Sequence, residues 1–423
     1  MKVLVIGGGG REHAIVKALK KSTRIGKLYA APGNGGIGRD AQCVPVKAAD
    51  IPAMTDFAAQ NAIDYVVVAP DDPLAAGMVD ALETKGVRCF GPNKAAARIE
   101  SSKVFAKDLM KKYSIPTADY ESFCDADKAC DFVKSTRFSF PLVIKADGLA
   151  LGKGVIIADD TKKALNAINF IMRKRKFGAS GSSIVIEEFL TGPEVSVLSF
   201  TDGKTVKPMV SSMDHKRAFD NNEGPNTGGM GVIAPNPHYT DEIAAACEKN
   251  IFLPTIRAME KEGCPFKGCL YFGLMLTPRG PMVIEYNCRF GDPETQAVLP
   301  LLETDLLEIM EAVTGGKLAN VNIDWKKDHC ACVVLASGGY PSVYKTGFAI
   351  SGLDENGGAK NSGSTIYHAG TEYKDGSFFT AGGRVLGVTA TAPSLNSAIE
   401  SAYKTAGTVN FDGVHYRKDI GKY

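Results

Sequence analysis

The sequence predicts an α/β protein in several parts: an N-terminal doubly wound parallel sheet, an α+β module, a central lobe and a β-rich C-terminal domain. Three observations predict it. The first hundred residues alternate short apolar runs with helical stretches, as a parallel sheet with crossover helices requires. From about Ser102 that texture changes, and an apolar hairpin forms around Pro278-Arg279-Gly280-Pro281. From about His329 the chain becomes glycine-rich and strand-dominated. The expected boundaries are 1–102, 103–328 with the α+β module at 115–189, and 329–423. A length of 423 residues suits roughly three domains at ~150 residues each.

Each element has its signal. Lys2 to Ile6 is an apolar run for a buried strand, followed by glycines and a helix from about Glu12 to Lys21. Lys27 to Ala31 gives a second strand ending in Pro32-Gly33-Asn34-Gly35-Gly36. A helix over Ile51 to Asn61 and the strand Tyr65 to Ala69 follow, then a further helix and the strand Val87 to Phe90, closed by Gly91-Pro92-Asn93-Lys94. Ligands of such sheets gather at the carboxyl ends of the strands, where these turns lie. After the helix Lys103 to Tyr113, the α+β module carries strands at Leu142 to Ala146, Val155 to Ala158 and Ser183 to Phe189. The central hairpin spans Leu270 to Leu276 and Met282 to Cys288. Helices over Glu303 to Val313 and Ser397 to Ala406 complete the chain.

Composition excludes several classes. With 49 basic against 47 acidic residues the formal charge is +2, which argues against a general nucleic-acid binder. Arg173-Lys174-Arg175-Lys176 reads as a solvated helix end. No apolar stretch approaches the ~20 residues that cross a bilayer, and Val3 to Ile6 breaks into glycines too soon for a signal peptide. The ten cysteines form no CxxC pair, and Cys330 and Cys332 would share one strand face as packing. The expectation is a reduced, cytoplasmic protein without membrane or nucleic-acid partners, a monomer with a homodimer as the alternative.

Five stretches carry chemistry. Gly7-Gly8-Gly9-Gly10-Arg11-Glu12-His13 follows a strand and opens a helix, a natural anion site. It is not a dinucleotide fingerprint, because Glu12 or His13 falls where the third glycine belongs. Lys145-Ala146-Asp147-Gly148-Leu149-Ala150-Leu151-Gly152-Lys153-Gly154 joins two strands, with glycines to close over a polyphosphate and lysines to neutralise it. Glu187-Glu188-Phe189-Leu190 is a connector that can offer backbone groups to an adenine edge, with Glu194 in reach of ribose hydroxyls. Asp214-His215-Lys216-Arg217 runs into Gly224-Pro225-Asn226-Thr227-Gly228-Gly229, too polar and glycine-rich for core, and reads as a substrate loop in which His215 is either functional or simply hydrogen-bonded. In Glu285-Tyr286-Asn287-Cys288-Arg289-Phe290-Gly291-Asp292-Pro293-Glu294, strand periodicity puts Glu285, Asn287 and Arg289 on one face. Glu285 and Asn287 are hard oxygen ligands suited to Mg²⁺, and Arg289 can clamp an anion with its fork.

In this order these pieces resemble the ATP-grasp superfamily and, within it, the phosphoribosylamine–glycine ligase family. Arg289-Phe-Gly-Asp-Pro-Glu-Thr-Gln296 looks like that family's own marker. The resemblance covers essentially the whole chain, including Ser337-Gly-Gly-Tyr-Pro341 and Gly382-Gly-Arg384, and the end at Tyr423 looks like the stand-alone enzyme. It implies an ATP-grasp fold in which the α+β module 115–189 is a mobile lid, and ATP-dependent joining of glycine to 5-phosphoribosylamine, with Mg²⁺ or Mn²⁺. It further implies that Lys103, Lys145, Gly152, Lys153, Gly154, Glu187, Glu188, Phe189, Leu190 and Glu194 hold ATP, and that Glu285 and Asn287 bind the metal. Arg289, Lys145 and Asp214 would be catalytic. Asp214, Lys216, Asn226, Thr227, Gly228, Gly229, Arg289, Gly291, Asp292 and Pro293 would face glycine and the amine, and Gly9, Gly10, Arg11, Glu12, Asn93 and Lys94 the ribose phosphate. Many superfamily members carry a second acid opposite Glu285. Leu270 to Leu276 has none, which leaves Asp292 or Glu294 as candidates. The rival readings are another ATP-grasp ligase or carboxylase of a purine intermediate, and a nucleotide-sensing protein without turnover.

Overall fold

The computed structural model describes residues 1–135, 138–149, 154–360 and 363–422. Among them, the N-terminal sheet has five parallel strands in the spatial order Gln42–Cys43, Lys27–Pro32, Lys2–Gly7, Tyr65–Val68 and Arg88–Phe90. Strands covered on both faces need apolar residues at every position, which Val3 to Ile6 and Tyr65 to Val68 supply fully buried. Parallel strands end on a common edge, so the turns after Gly7, Pro32 and Phe90 lie together. The first helix is Gly10–Leu19, two residues earlier than the sequence suggests. Glu12 turns back to accept the Gly9 N–H at 2.6 Å, which caps the helix at Gly9.

Two antiparallel sheets follow. The lid sheet has the order Tyr120–Phe123, Ile184–Glu188, Leu142–Ala146, Val155–Ala158, and its own core around Ile144, Ile168 and Ile184. The central sheet has the order Val206–Pro208, Glu194–Asp202, Lys267–Thr277, Gly280–Asn287. In its hairpin Glu285 faces Gly273 while Val283 faces Leu274, so Ile284 is the extra residue of a bulge. Thr117 ties the two sheets, its hydroxyl donating to Val283 O at 2.7 Å. The helix expected from Glu303 begins instead at Leu306, because Asp305 caps it by accepting the Leu307 N–H at 2.9 Å. The C-terminal sheet runs Met213–Asp214, Gly231–Ala234, His329–Ala336, Arg384–Ala392, Thr365–His368, backed by the helix Leu395–Ala406. Cys330 and Cys332 are buried on one face of its central strand. Residues 173–176 are exposed, and no helix among the described residues is long and apolar enough to cross a membrane.

Three buried histidines fasten the C-terminal part to the rest. His13 Nδ1 accepts the His368 backbone N–H at 2.7 Å, so its Nε2–H faces Asp40 at 3.0 Å. Asp40 also pairs with Lys17 and Lys20 at 2.7 and 2.8 Å. His368 lies between Thr371 Oγ1 and Gly357 O, at 2.9 and 2.8 Å. His215 joins Gly231 O to the Gly421 N–H, at 3.2 and 3.1 Å, and that contact with the C-terminus identifies it as a hydrogen-bonded packing residue.

Burial lowers all three, His13 and His215 to about 4 and His368 to about 3. The unfolded chain takes up these protons below pH ~6.5, whereas the native state stays neutral until about pH 4. Stability is therefore expected to be flat from pH 8 to 7 and to fall as pH drops from about 6.5 towards 4, by up to ~4 kcal/mol per pH unit for three protons. Urea midpoints across that range check it, and a midpoint unchanged from pH 7 to 5 would contradict it.

Candidate active site

The site lies where the lid sheet, the central sheet and the glycine-loop edge of the N-terminal sheet converge. Lys145 leaves the lid sheet and donates from Nζ to Ile284 O at 2.9 Å, the carbonyl that the bulge releases from the ladder. The same ammonium pairs with Glu187 Oε1 at 2.9 Å, and Lys107 holds Glu187 Oε2 at 3.0 Å. Burial pushes the Lys107 amine down to about 8, and Glu187 offsets part of that. Burial pushes Glu187 up, but the charges of Lys145 and Lys107 prevail and hold it low. Lys103 Nζ donates to Gly148 O at 3.0 Å, at the start of the lid loop. Gly154, at the loop's far end, accepts the Ala146 N–H on its carbonyl at 2.8 Å; Gly152 and Lys153 lie outside the described residues.

Glu285 projects towards this group, its side chain 39 % exposed. Desolvation favours its neutral form, yet Lys216, Lys145, Lys103 and Arg289 together hold it below the ordinary carboxylate range. Lys216 bridges Glu194 at 2.9 Å and Glu285 at 4.0 Å. Leu190 packs with Ala118, Met275 and Met282 into a small apolar patch beside the cleft, and Phe189 is exposed at its rim. Glu188 pairs with Arg279 across the two sheets at 2.5 Å.

Arg289 sits deeper than a free clamp would. One terminal nitrogen donates to Glu100 Oε1 at 3.1 Å and Asn287 Oδ1 at 3.0 Å, and the other to Phe290 O at 3.3 Å. Its Nε–H is buried without a partner among the described residues. Glu100 also accepts the Cys288 N–H at 2.7 Å. The fork expected to be open is thus largely engaged by the protein, which aims the group and leaves one donor unsatisfied.

The marker segment meets the glycine loop. Arg11 pairs with Glu12 at 2.6 Å and reaches Phe290 O at 3.2 Å. A Cβ on Gly10 would lie 2.6 Å from Gln296 Nε2, so a larger residue there would push the Gln296 amide away from the loop. Gln296 in turn donates to Asp292 at 2.7 Å. Arg384, from the C-terminal sheet, holds Asp292 Oδ2 at 3.2 Å, Asp292 O at 2.8 Å and Gly228 O at 2.6 Å. Tyr340 accepts the Gly228 N–H at 3.1 Å. Beside the loop, a cavity of about 350 Å³ is lined by Gly33, Asn34, Arg39 and Tyr373. Asn93 caps the helix Lys94–Ser101 through the Ala96 N–H at 2.9 Å, and Lys94 is exposed at the same edge.

Asp214 faces the turn of the loop 224–229. Thr227 fastens that loop to Lys216 O at 2.8 Å and takes the Gly229 N–H at 2.9 Å. Asn226 begins the turn, paired in register with Arg217. Burial and the neighbouring Glu294 raise Asp214 well above the ordinary carboxylate range, and its Oδ1 is buried without a partner among the described residues. Gly229 has φ +112, and a Cβ there would sit 2.3 Å from Pro293 and 2.6 Å from Asp214 Oδ1. Gly229→Ala is therefore expected to displace the loop from Asp214, costing about 1–3 kcal/mol of stability and at least tenfold in kcat/KM for the amino-acid substrate. Unaltered kinetics would show that the loop lies outside the substrate site.

The donor set at Glu285 and Asn287 fits a metal that brings other ligands with it. No cluster of three or more His, Cys, Asp or Glu suited to a metal occurs among the described residues. Mg²⁺ ordinarily takes one or two protein oxygens and fills its octahedron with water and phosphate. Asp292 and Glu294 are engaged elsewhere, Asp292 by Arg384 and Gln296, and Glu294 is buried beside Ser196.

Sequence reasoning missed Glu100, Lys107, Tyr340 and the contacts of Arg384. Glu100 and Lys107 carried a signal: each falls on the buried face of an amphipathic helix, next to Ala97 and Ile99 or Ala106 and Met110.

Profiles of the phosphoribosylglycinamide synthetase N domain, ATP-grasp (A) domain and C domain match residues 1–100, 101–295 and 330–423. A phosphoribosylamine–glycine ligase of Caldanaerobacter subterraneus subsp. tengcongensis is 50 % identical over 420 residues, 99 % of each chain. The human trifunctional purine biosynthetic protein adenosine-3 is 45 % identical over 99 % of this chain and 42 % of its own length. A crystal structure of phosphoribosylamine–glycine ligase from Thermotoga maritima superposes with a TM-score of 0.86 at 34 % identity, covering all of both chains. The chain belongs to the phosphoribosylglycinamide synthetase family.

Proposed function

We propose that this enzyme joins glycine to 5-phospho-D-ribosylamine at the expense of ATP, giving glycinamide ribonucleotide, ADP and phosphate, as a cytoplasmic monomer serving purine biosynthesis. The observation that supports it most is the convergence of Lys103, Lys145, Lys216 and Arg289 around Glu285. A glycine carboxylate oxygen attacks the γ-phosphorus as the bond to ADP breaks. Lys145 and Arg289 offset charge on the transferring group. The amine nitrogen then attacks the acyl carbon of glycyl phosphate, phosphate leaves, and the nitrogen's proton passes to solvent or phosphate. No side-chain nucleophile is needed.

Lys103, Gly152 to Gly154, Glu187 to Leu190 and Glu194 hold the nucleotide in this reading. Glu285 and Asn287 hold Mg²⁺ or Mn²⁺, which supplies neutralising charge to the phosphates. Asp214, Lys216, the loop 226–229 and Gly291 to Pro293 face glycine and the amine. Gly9 to Glu12, Asn93 and Lys94 take the ribose phosphate. The lid, 115–189, closes to exclude water from the acyl phosphate.

ADP release with MgATP tests this, with glycine and with phosphoribosylamine generated in situ, each omitted in turn. Release that requires both establishes the ligase. Release with neither, or none with both, would overturn it.

A further inference from the structure

Away from the cleft, helix Gly10–Leu19 crosses one face of the C-terminal sheet and leaves a cavity of about 200 Å³ between them. Its walls include Ala18, Lys21, Lys326, Thr365, Thr389 and Thr391. Thr365 and Thr389 are register partners, and Thr391 shares their face two residues on. The opposite face carries Ile366, Val388 and Ala390 into the core. This sheet therefore presents hydroxyls where packing against a helix would call for aliphatic side chains.

Two further facts distinguish the cavity from a packing gap. Thr389 is 2 % exposed, and its hydroxyl has no hydrogen-bond partner beyond the Cys332 thiol beside it. Lys21 and Lys326 are exposed at the cavity's mouth, and their ammonium groups pair with no carboxylate among the described residues, whereas Lys17 on the same wall is held by Asp40 at 2.7 Å. Burial and the charge of Lys326 lower the Lys21 amine. Two like charges without a protein counter-ion, beside a buried hydroxyl whose one neighbour is a weakly bonding thiol, are the complement of an anion.

The geometry points to a second anion site here, for a tetrahedral oxyanion such as phosphate, free or as the head of a small phosphate ester. The volume is several times the roughly 30 Å³ share of one water, which admits a phosphate with a small ester group. The site lies about 15 Å from the glycine loop, at the other end of the same helix.

The test is equilibrium dialysis of the full chain against radiolabelled inorganic phosphate, at ionic strength fixed with chloride. It compares the native protein with Lys21→Ala/Lys326→Ala. Phosphate held in the cleft counts equally in both, so the native protein should bind one more equivalent. Thr389→Val, which keeps the shape and removes the hydroxyl, should weaken that equivalent several-fold. Trp325 is the only tryptophan and precedes Lys326, so its fluorescence should saturate with the same site. Competition by ribose 5-phosphate assigns the site to an ester, and failure to compete assigns it to the free ion. Equal numbers of phosphates, bound with equal affinity by the native protein and the double variant, would overturn the proposal.

Discussion

Replacing Glu285 by alanine is expected to lower kcat for ADP release on the order of 10³-fold or more while the protein stays folded. The carboxylate is the one anion in the cleft that is both held low and 39 % exposed; Glu187 is enclosed between Lys107 and Lys145. Its side chain is part-exposed, so the stability cost should be about 1–2 kcal/mol, arising mainly from the cations left around it. What it contributes is negative charge among four cations. Without it Lys103, Lys145, Lys216 and Arg289 repel one another, and metal-free ATP should bind as well as before or more tightly. A metal-ligand role thus predicts a split: MgATP turnover collapses while metal-free nucleotide affinity holds. Glu285→Gln should behave the same way, since the amide keeps the shape and loses the charge. A variant keeping more than a tenth of the activity would remove Glu285 from the metal site.

What the sequence disclosed and what it hid follow from range. Val3 to Ile6 and Tyr65 to Val68 were legible because a strand buried on both faces must be apolar throughout, a purely local requirement. The glycine loop and the Glu285–Arg289 stretch were legible because polar residues at strand spacing have few structural excuses. The bulge at Ile284 was not, since it depends on how Gly273 and Leu274 pair across the hairpin. Nor was the occupation of Arg289, whose partner Glu100 lies 189 residues away. His215 could not be decided locally, because Gly421 that settles it is 206 residues distant. Arg384 stood within a noticed glycine motif, but only the fold brings it to Asp292 and Gly228.

Arg289→Lys should be the second most damaging change, with kcat reduced about 10²–10³-fold. Lysine keeps the charge but replaces a planar fork by a single point. It cannot hold Glu100, Asn287 and Phe290 O at once, nor offer the Nε–H that the native side chain leaves unpaired. Glu100 is then the more exposed partner energetically. Burial already raises its carboxyl, and Arg289 and the Cys288 N–H restrain it. Losing a well-placed cation favours its protonation and costs about 1–3 kcal/mol of stability. Glu100→Gln separates aim from charge, because the amide oxygen still takes the Cys288 N–H while the pull on Arg289 weakens. As a positioning residue, Glu100 should show a kcat roughly tenfold lower with KM for ATP unchanged. The double variant should fall no further than Arg289→Lys alone, a coupling of about 1 kcal/mol or more. Additive losses would mean that Glu100 only supports the fold, and that something other than this pair aims the guanidinium.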